Sequence, residues 1–289
     1  MNQTNVTAPA AIGPRLSIMM FLEFFVWGAW YVTVGNYMAV NGMADLIGNA
    51  YSVGPIAAII SPFFLGMIAD RYFATERVLG ILLILSGIFL GAAPMVVGEG
   101  EPNGGLFIWM LQLHMLCYMP TLGLTNTLAF SNMTNQEKQF PLIRVFGTIG
   151  WIVAGVLVSK FLGADTTALP LQIGGGAAIL MGLYSFTLPH TPPPAAGKSV
   201  TAREIIGLDA LSQLSSSSFW VFLISSFLVC IPLSAYYAFA PVFVAESYVS
   251  DPAFQMSFGQ VSEVLFMAIM PLCFARLGVK WMLFVGMRA

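Results

Sequence analysis

The chain has 289 residues, of which 58% are hydrophobic and 8% are charged, and its formal net charge at pH 7 is −2. A soluble globular domain usually carries about 25% charged residues, so most of the surface of this chain must face something other than water. The slight negative charge argues against nucleic-acid binding, which requires a basic patch.

Eight apolar segments are long enough to cross a bilayer as helices, which takes roughly 20 residues. In chain order they cover approximately residues 16–40, 49–69, 78–97, 106–130, 145–162, 168–188, 220–244 and 256–275. A ninth segment begins at Val279 and reaches Ala289 after about half of a span. The last carbonyl groups of a half-span would have no partners in lipid, so we expect the chain to be a C-terminally truncated fragment. The sequence therefore predicts an all-α polytopic membrane protein with eight full transmembrane helices and the start of a ninth.

The loops on the two sides of these spans differ in charge. Nine lysines and arginines lie on the side that holds the N-terminus, and one, Lys160, lies on the opposite side. Short cytoplasmic loops are enriched in Lys and Arg, so we expect the N-terminus and every even-numbered loop to be cytoplasmic.

The longest connection separates six spans from the rest. It covers residues 189–218 and opens with a proline-rich stretch. We therefore divide the chain into an N-terminal six-helix half (1–188), a cytoplasmic linker (189–218) and an incomplete C-terminal half (219–289). This layout resembles the major facilitator fold, whose two halves are structural repeats, and it predicts twelve spans for the whole protein.

Two carboxylates, Glu23 and Glu263, lie clearly inside predicted spans. A charge at the bilayer centre costs about 3 kcal/mol or more, so such residues usually face a cavity or a partner. Both are candidates for proton coupling, and the alternative is a neutral acid that serves packing alone. Gln260 lies three residues before Glu263 on the same helical face, where the pair could bind hydroxyl groups or the edge of a base.

Arg144 begins the fifth span, and Thr148 and Trp151 follow it at helical spacing. We favour an inward-pointing Arg144 that balances a carboxylate and offers donors to a ligand. The alternative is an arginine that extends to the membrane interface. Trp151 could stack on a planar ring, and Gly147 would allow a neighbouring helix to approach closely.

The loop after the second span carries Gly66, Asp70 and Arg71, with Arg77 beyond. This spacing resembles the Gly-x-x-x-Asp-Arg signature of the major facilitator superfamily. In that superfamily the acidic and basic groups hold one conformation across the cytoplasmic helix ends. We therefore expect these four residues to form a conformational gate.

Three strings resemble one family within that superfamily, the nucleoside:proton symporters. They are FVWGAW at residues 25–30, YMPTLGLTNT at 118–127 and RVFGTIG at 144–150, and the resemblance extends over nearly the whole chain. It implies nucleoside import by proton symport through alternating access, with the substrate site between the two halves. In the seventh span, where relatives carry amide side chains, this chain has Ser234 and Tyr237, which leaves purine or pyrimidine preference open. The substrate-binding positions that we expect are Arg144, Thr148, Trp151, Ser234, Tyr237, Gln260 and Glu263.

Other functions compete with this one. A proton-coupled transporter of another polar solute, such as a sugar, would use similar site chemistry, and a nontransporting receptor-like protein stays possible. An enzyme is disfavoured, because the two histidines, His114 and His190, belong to no metal-binding or nucleophile motif. We expect no metal and no cofactor. The partners that we expect are a nucleoside, a proton and the lipid bilayer, with the protein a monomer in a bacterial inner membrane.

Overall fold

The computed structural model describes residues 12–64, 72–98, 102–193, 216–247 and 251–286, and within these ranges it contains helices and no strand. The α-helices are α1 (Ile12–Trp30), α2 (Val34–Val40), α3 (Ile47–Phe64), α4 (Thr75–Ala92), α5 (Gly104–Asn132), α6 (Gln136–Gly155), α7 (Leu169–Ser185), α8 (Ser217–Glu246) and α9 (Pro252–Gly286). A π-helical turn, Val156–Phe161, extends α6. The all-α fold class is confirmed for this part of the chain.

The helices follow the predicted spans closely. Six of the described helical segments are long and apolar enough to cross a membrane: Ile12–Val40, Thr75–Val96, Gly104–Asn132, Lys138–Phe161, Ser217–Glu246 and Pro252–Met270. Helix α7 is apolar but shorter, with 17 residues. The count of eight full spans therefore remains a prediction. In α9 the helix is interrupted at Gly278, with φ 68° and ψ 168°, directly before the predicted start of a ninth segment at Val279.

We call α1 to α7 the first six-helix group, because α1 and α2 together form one span. Glycines allow this group to pack closely. A Cβ atom at Gly28 of α1 would lie 2.8 Å from the Cα atom of Trp151 in α6. A Cβ atom at Gly150 would meet the carbonyl oxygen of Phe21. The close approach predicted at Gly147 is confirmed, because a Cβ atom there would lie 2.7 Å from the Phe24 ring. Small residues at helix crossings are the usual way for membrane helices to gain packing contacts.

The first span is broken near its end. Helix α1 stops at Trp30 and α2 starts at Val34, with a turn at residues 31–33. The Thr33 hydroxyl donates to the Trp30 carbonyl at 3.1 Å, and the Tyr51 hydroxyl donates to the Tyr31 carbonyl at 3.0 Å. The Trp30 carbonyl also accepts from the Thr33 backbone N–H at 3.2 Å. Carbonyl groups at the break therefore have hydrogen-bond partners, which backbone at membrane depth requires.

We call the side of the bundle where α1 begins the inner side, in line with the charge distribution, and the opposite side the outer side. On the inner side, Glu76 of α4 accepts hydrogen bonds from the backbone N–H of Thr191 at 3.0 Å and contacts His190 Nδ1 at 2.9 Å. On the outer side, Lys160 Nζ pairs with Asp251 Oδ2 at 2.8 Å. That ion pair joins the end of α6 to the start of α9.

Near this outer ion pair, Asp165 is partly buried and accepts a hydrogen bond from the Ser159 hydroxyl at 2.7 Å. Burial raises the pKa of the Asp165 carboxyl, and this effect outweighs the hydrogen bond from Ser159, which lowers it. The outer ends of the first six-helix group and of α9 therefore meet through charged and polar side chains.

Candidate functional site

A cavity of about 470 Å³ lies between the first group of helices and the pair α8 and α9. It is lined by side chains of α1, α3, α5, α6, α8 and α9. All seven predicted substrate-binding residues line it: Arg144, Thr148, Trp151, Ser234, Tyr237, Gln260 and Glu263. Their grouping is a finding of the structure, whereas their roles remain predictions.

The polar end of the cavity is built by α6 and α9. The Thr148 hydroxyl donates to Glu263 Oε1 at 3.3 Å, and it lies 3.6 Å from the sulfur of Met267. The Arg144 guanidinium stacks on the Phe24 ring, with its carbon 3.9 Å from the ring centroid. Arg144 Nη1 is buried and has no hydrogen-bond partner among the described residues.

Arg144 and Glu263 interact electrostatically. They do not form a direct ion pair, because the two ion pairs with an N–O distance of at most 4.0 Å among the described residues are Lys160–Asp251 and His190–Glu76. A separated pair of opposite charges can hold a polar ligand between its members. It can also respond to protonation, because a neutral Glu263 attracts Arg144 less.

Aromatic rings build a second part of the cavity lining. Trp27, Tyr31, Trp151 and Tyr237 all line it. Adjacent rings meet edge to face, with centroids 5.7 Å apart for Trp27–Trp151 and 5.8 Å apart for Tyr31–Tyr237. The Tyr31–Tyr237 contact joins α1, through the turn that follows it, to α8. Such rings offer a flat apolar surface to a planar ligand.

Nine of the lining residues were not predicted, and the aromatic ones among them are Phe24, Trp27 and Tyr31. A signal for these three exists, since they occupy positions i, i+3 and i+7 and would therefore share one face of a helical first span. The α3 residues Gly54, Pro55 and Ala58 also line the cavity and add small side chains that leave it space.

The second predicted proton-coupling residue, Glu23, lies outside the cavity lining. It is fully buried within the first six-helix group, where the Thr121 hydroxyl donates to its Oε1 at 2.6 Å. Its other carboxyl oxygen, Oε2, is buried and has no partner among the described residues. The hydroxyl of Tyr118 donates to the Glu23 carbonyl at 2.6 Å.

The predicted gate is described only in part. Gly66, Asp70 and Arg71 lie outside the described residues. Arg77 is exposed in the first turn of α4, next to the Glu76 contact with His190. His114, the other histidine, is buried against Tyr118 and contacts the Ser86 hydroxyl at 2.8 Å.

A larger cavity of about 980 Å³ lies at the inner ends of α1 and α6. Its lining carries no ionisable side chain. Within the part of the chain that the structure describes, no group of three His, Cys, Asp or Glu side chains could hold a metal ion. The smaller cavity, with Arg144 and Glu263, is therefore the candidate functional site.

The model of the family described as "Nucleoside H+ symporter" matches residues 11–289. The chain belongs to this family. A relative named "Putative nucleoside transporter YegT", from Escherichia coli (strain K12), is 40% identical over 280 residues, which cover 94% of this chain and 64% of YegT. Nucleoside permease NupG of the same strain is 32% identical, over 95% of this chain and 68% of NupG. The xanthosine permease of that strain is 30% identical, over 96% of this chain and 69% of the permease.

Two crystal structures of the nucleoside transporter NupG are similar to this fold. Their TM-scores are 0.79 and 0.75 at 30% sequence identity, and each match covers 93% of this chain and 69% of the NupG chain. This chain thus spans about two thirds of the length of these relatives. Together with the six apolar helices among the described residues, family membership identifies an integral membrane protein.

Proposed function

We propose that the protein imports nucleosides by proton symport through alternating access, as one monomer with the twelve-span layout of the major facilitator fold. The observation that carries this proposal is the cavity between the first six-helix group and α8–α9, because it combines Arg144, the Thr148–Glu263 pair and a wall of aromatic rings. Its volume of about 470 Å³ falls in the range of small-molecule sites. Membership of the nucleoside H+ symporter family supports the choice of solute and ion.

The polar and the aromatic lining residues suit the two parts of a nucleoside. Gln260, Thr148 and the Arg144 guanidinium offer hydrogen bonds to ribose hydroxyls. Trp151 and Tyr237 offer ring surfaces to the base. Ser234 extends the polar lining on α8, although its hydroxyl already donates to the Ile231 carbonyl at 3.0 Å.

Proton coupling in this proposal centres on Glu263. A protonated Glu263 carries no charge, so its attraction for Arg144 is weaker and the relative stability of the two access states changes. A solute that binds between α6 and α9 then biases the same equilibrium, which is how binding and transport become linked. Glu23 is a second candidate for the coupled proton, because its buried Oε2 lacks a partner within the described residues.

Uptake measurements test the proposal. The complete coding sequence is expressed in transporter-deficient bacterial cells, and accumulation of radiolabelled uridine and adenosine is measured with and without a protonophore. We expect accumulation that the protonophore abolishes. Excess unlabelled nucleoside should compete, whereas sugars should not.

Two outcomes would contradict the proposal. Inhibition by a sugar, but not by nucleosides, would assign the cavity to a sugar. No uptake by well-expressed protein in the inner membrane would favour the receptor-like alternative.

A further inference from the structure

Trp27 and Tyr31 supply an aromatic face with unpaired polar atoms to the cavity. The two side chains are four residues apart, and their rings meet edge to face with centroids 5.5 Å apart. Each also contacts Trp151, at 5.7 Å and 6.3 Å. Both therefore belong to the aromatic part of the cavity lining.

The Trp27 indole N–H is buried and has no hydrogen-bond partner among the described residues. Buried N–H groups are nearly always paired, because an unpaired one has lost its hydrogen bond to water without a replacement. The Tyr31 hydroxyl also makes no hydrogen bond within the part of the chain that the structure describes, although its backbone carbonyl is held by Tyr51. A ligand that brings acceptor atoms to these two side chains would satisfy both the Trp27 N–H and the Tyr31 hydroxyl.

The two groups differ in what they can bind. An indole N–H only donates, whereas a phenol hydroxyl both donates and accepts. Trp27 therefore distinguishes an acceptor from a donor on the edge of a planar ring, and Tyr31 does not. Among nucleosides, this is the difference between a ring carbonyl and an exocyclic amino group.

On the basis of the proposed nucleoside transport, we propose that Trp27 is a specificity-determining residue that selects bases with a carbonyl group, rather than an amino group, at position 4 of a pyrimidine or position 6 of a purine. Uridine has a carbonyl and cytidine an amino group at position 4, and the adjacent N3 carries a hydrogen in uridine alone. Inosine and adenosine differ in the same way at position 6 and N1. A carbonyl at this position accepts the Trp27 hydrogen bond, whereas an amino group there cannot. The protein prefers uridine to cytidine and inosine to adenosine.

The chain offers a matched control for this assignment. Trp30, one turn further along α1, also has a buried indole N–H without a partner among the described residues. Trp30 is fully buried but does not line the cavity, and it packs against His114 instead. Trp27→Phe and Trp30→Phe thus remove the same group from the same helix, once at the cavity and once away from it.

The test measures concentration-dependent uptake of the four nucleosides by cells that express the complete coding sequence. One hydrogen bond contributes about 1 kcal/mol, so the wild type is expected to favour uridine over cytidine by about fivefold in kcat/KM. Trp27→Phe should bring that ratio close to one, and Trp30→Phe should leave it at the wild-type value. Tyr31→Phe should weaken uptake of both nucleosides and preserve the ratio.

Each contrary outcome has a separate meaning. Nucleoside transport without a preference for carbonyl-bearing bases, or a ratio that survives in Trp27→Phe, overturns this inference and leaves the proposed function standing. Equal loss of the ratio in Trp30→Phe also overturns it, because the effect would then arise from helix packing. Absence of any nucleoside transport by the wild type overturns both proposals.

Discussion

Among single side chains, Glu263 has the chemistry that the rest of the cavity cannot replace. It is the one carboxylate in the lining, and it accepts the hydrogen bond from Thr148 at 3.3 Å. A glutamine at this position keeps the shape and an acceptor oxygen, yet it cannot gain or lose a proton. Substitution by glutamine therefore separates solute binding from proton coupling.

For Glu263→Gln we expect cells to equilibrate uridine but not to accumulate it, with uptake that no longer depends on the external pH. The measurement is accumulation of labelled uridine as a function of external pH. Glu246→Gln, the same change at the exposed outer end of α8, serves as the control and should behave as the wild type does. Undiminished, protonophore-sensitive accumulation by Glu263→Gln would remove Glu263 from the coupling step.

At the scale of helices, the crossing of α1 and α6 sets the position of Arg144, Thr148 and Trp151 against Phe24 and Trp27. The crossing depends on glycine. At Gly150 an added methyl group would meet the backbone carbonyl of Phe21, which cannot rotate away as a side chain can. The helices would have to separate, and the cavity lining would separate with them.

We expect Gly150→Ala to lower the apparent Tm of the detergent-purified protein by about 2–10 °C. This range corresponds to an overpacking cost of about 1–3 kcal/mol. The matched control is Gly123→Ala in α5, where a Cβ atom would have no neighbour within 4 Å. Alanine is the better helix former, so this control should keep or slightly raise the Tm. An equal Tm for the two variants would show that the α1–α6 crossing tolerates a side chain.

Helical periodicity explains why part of the site could be predicted. Arg144, Thr148 and Trp151, like Gln260 and Glu263, are spaced so that each set shares a face of its helix, and the structure brings both faces to one cavity. Helical periodicity predicts which residues share a face of a helix, but it does not predict which other helix or cavity that face contacts. Phe24, Trp27 and Tyr31 were missed for this reason, because an aromatic stripe looks the same whether it packs or lines a cavity.

The same limit applies to Glu23, whose intramembrane position was evident although its burial against Thr121 was not. The break in the first span at residues 31–33 had no sequence signal that we recognised, since the apolar run from residue 16 to residue 40 contains no proline. The Tyr51 hydroxyl and Thr33 stabilise that break, and Tyr51 acts from another helix. A contact of this kind depends on the tertiary fold, which a local sequence pattern does not predict.

At the scale of the whole molecule, the first six-helix group and the α8–α9 pair meet at the outer side. The Lys160–Asp251 ion pair and the cluster of Val32, Ala253 and Met256 lie there. The Tyr31–Tyr237 ring contact also joins the two groups. In the proposed alternating-access cycle, with the outer side facing the cell exterior as the loop charges predict, these contacts would close the cavity to the outside and would have to break for a solute to enter from there.

The ion pair can be tested through a native cysteine, because Cys230 of α8 is exposed and lines the cavity. Removal of the Lys160 charge by Lys160→Ala should favour the outward-open state. It should therefore speed labelling of Cys230 by a membrane-impermeant maleimide added outside the cell. An exposed ion pair contributes about 0–1 kcal/mol, so we expect an increase of up to about fivefold.

Two comparisons make that labelling result decisive. A Cys230→Ser background should lose the signal, which assigns the labelling to the cavity rather than to Cys117 or Cys273. Exchange of the two charges, Lys160→Asp with Asp251→Lys, should return the rate towards that of the wild type, because the pair is restored with opposite polarity. If Lys160→Ala labels at the wild-type rate, or if the exchanged pair labels as fast as Lys160→Ala, the ion pair does not hold the outer side closed. The aromatic contacts of Tyr31 and Tyr237 would then have to supply the closure.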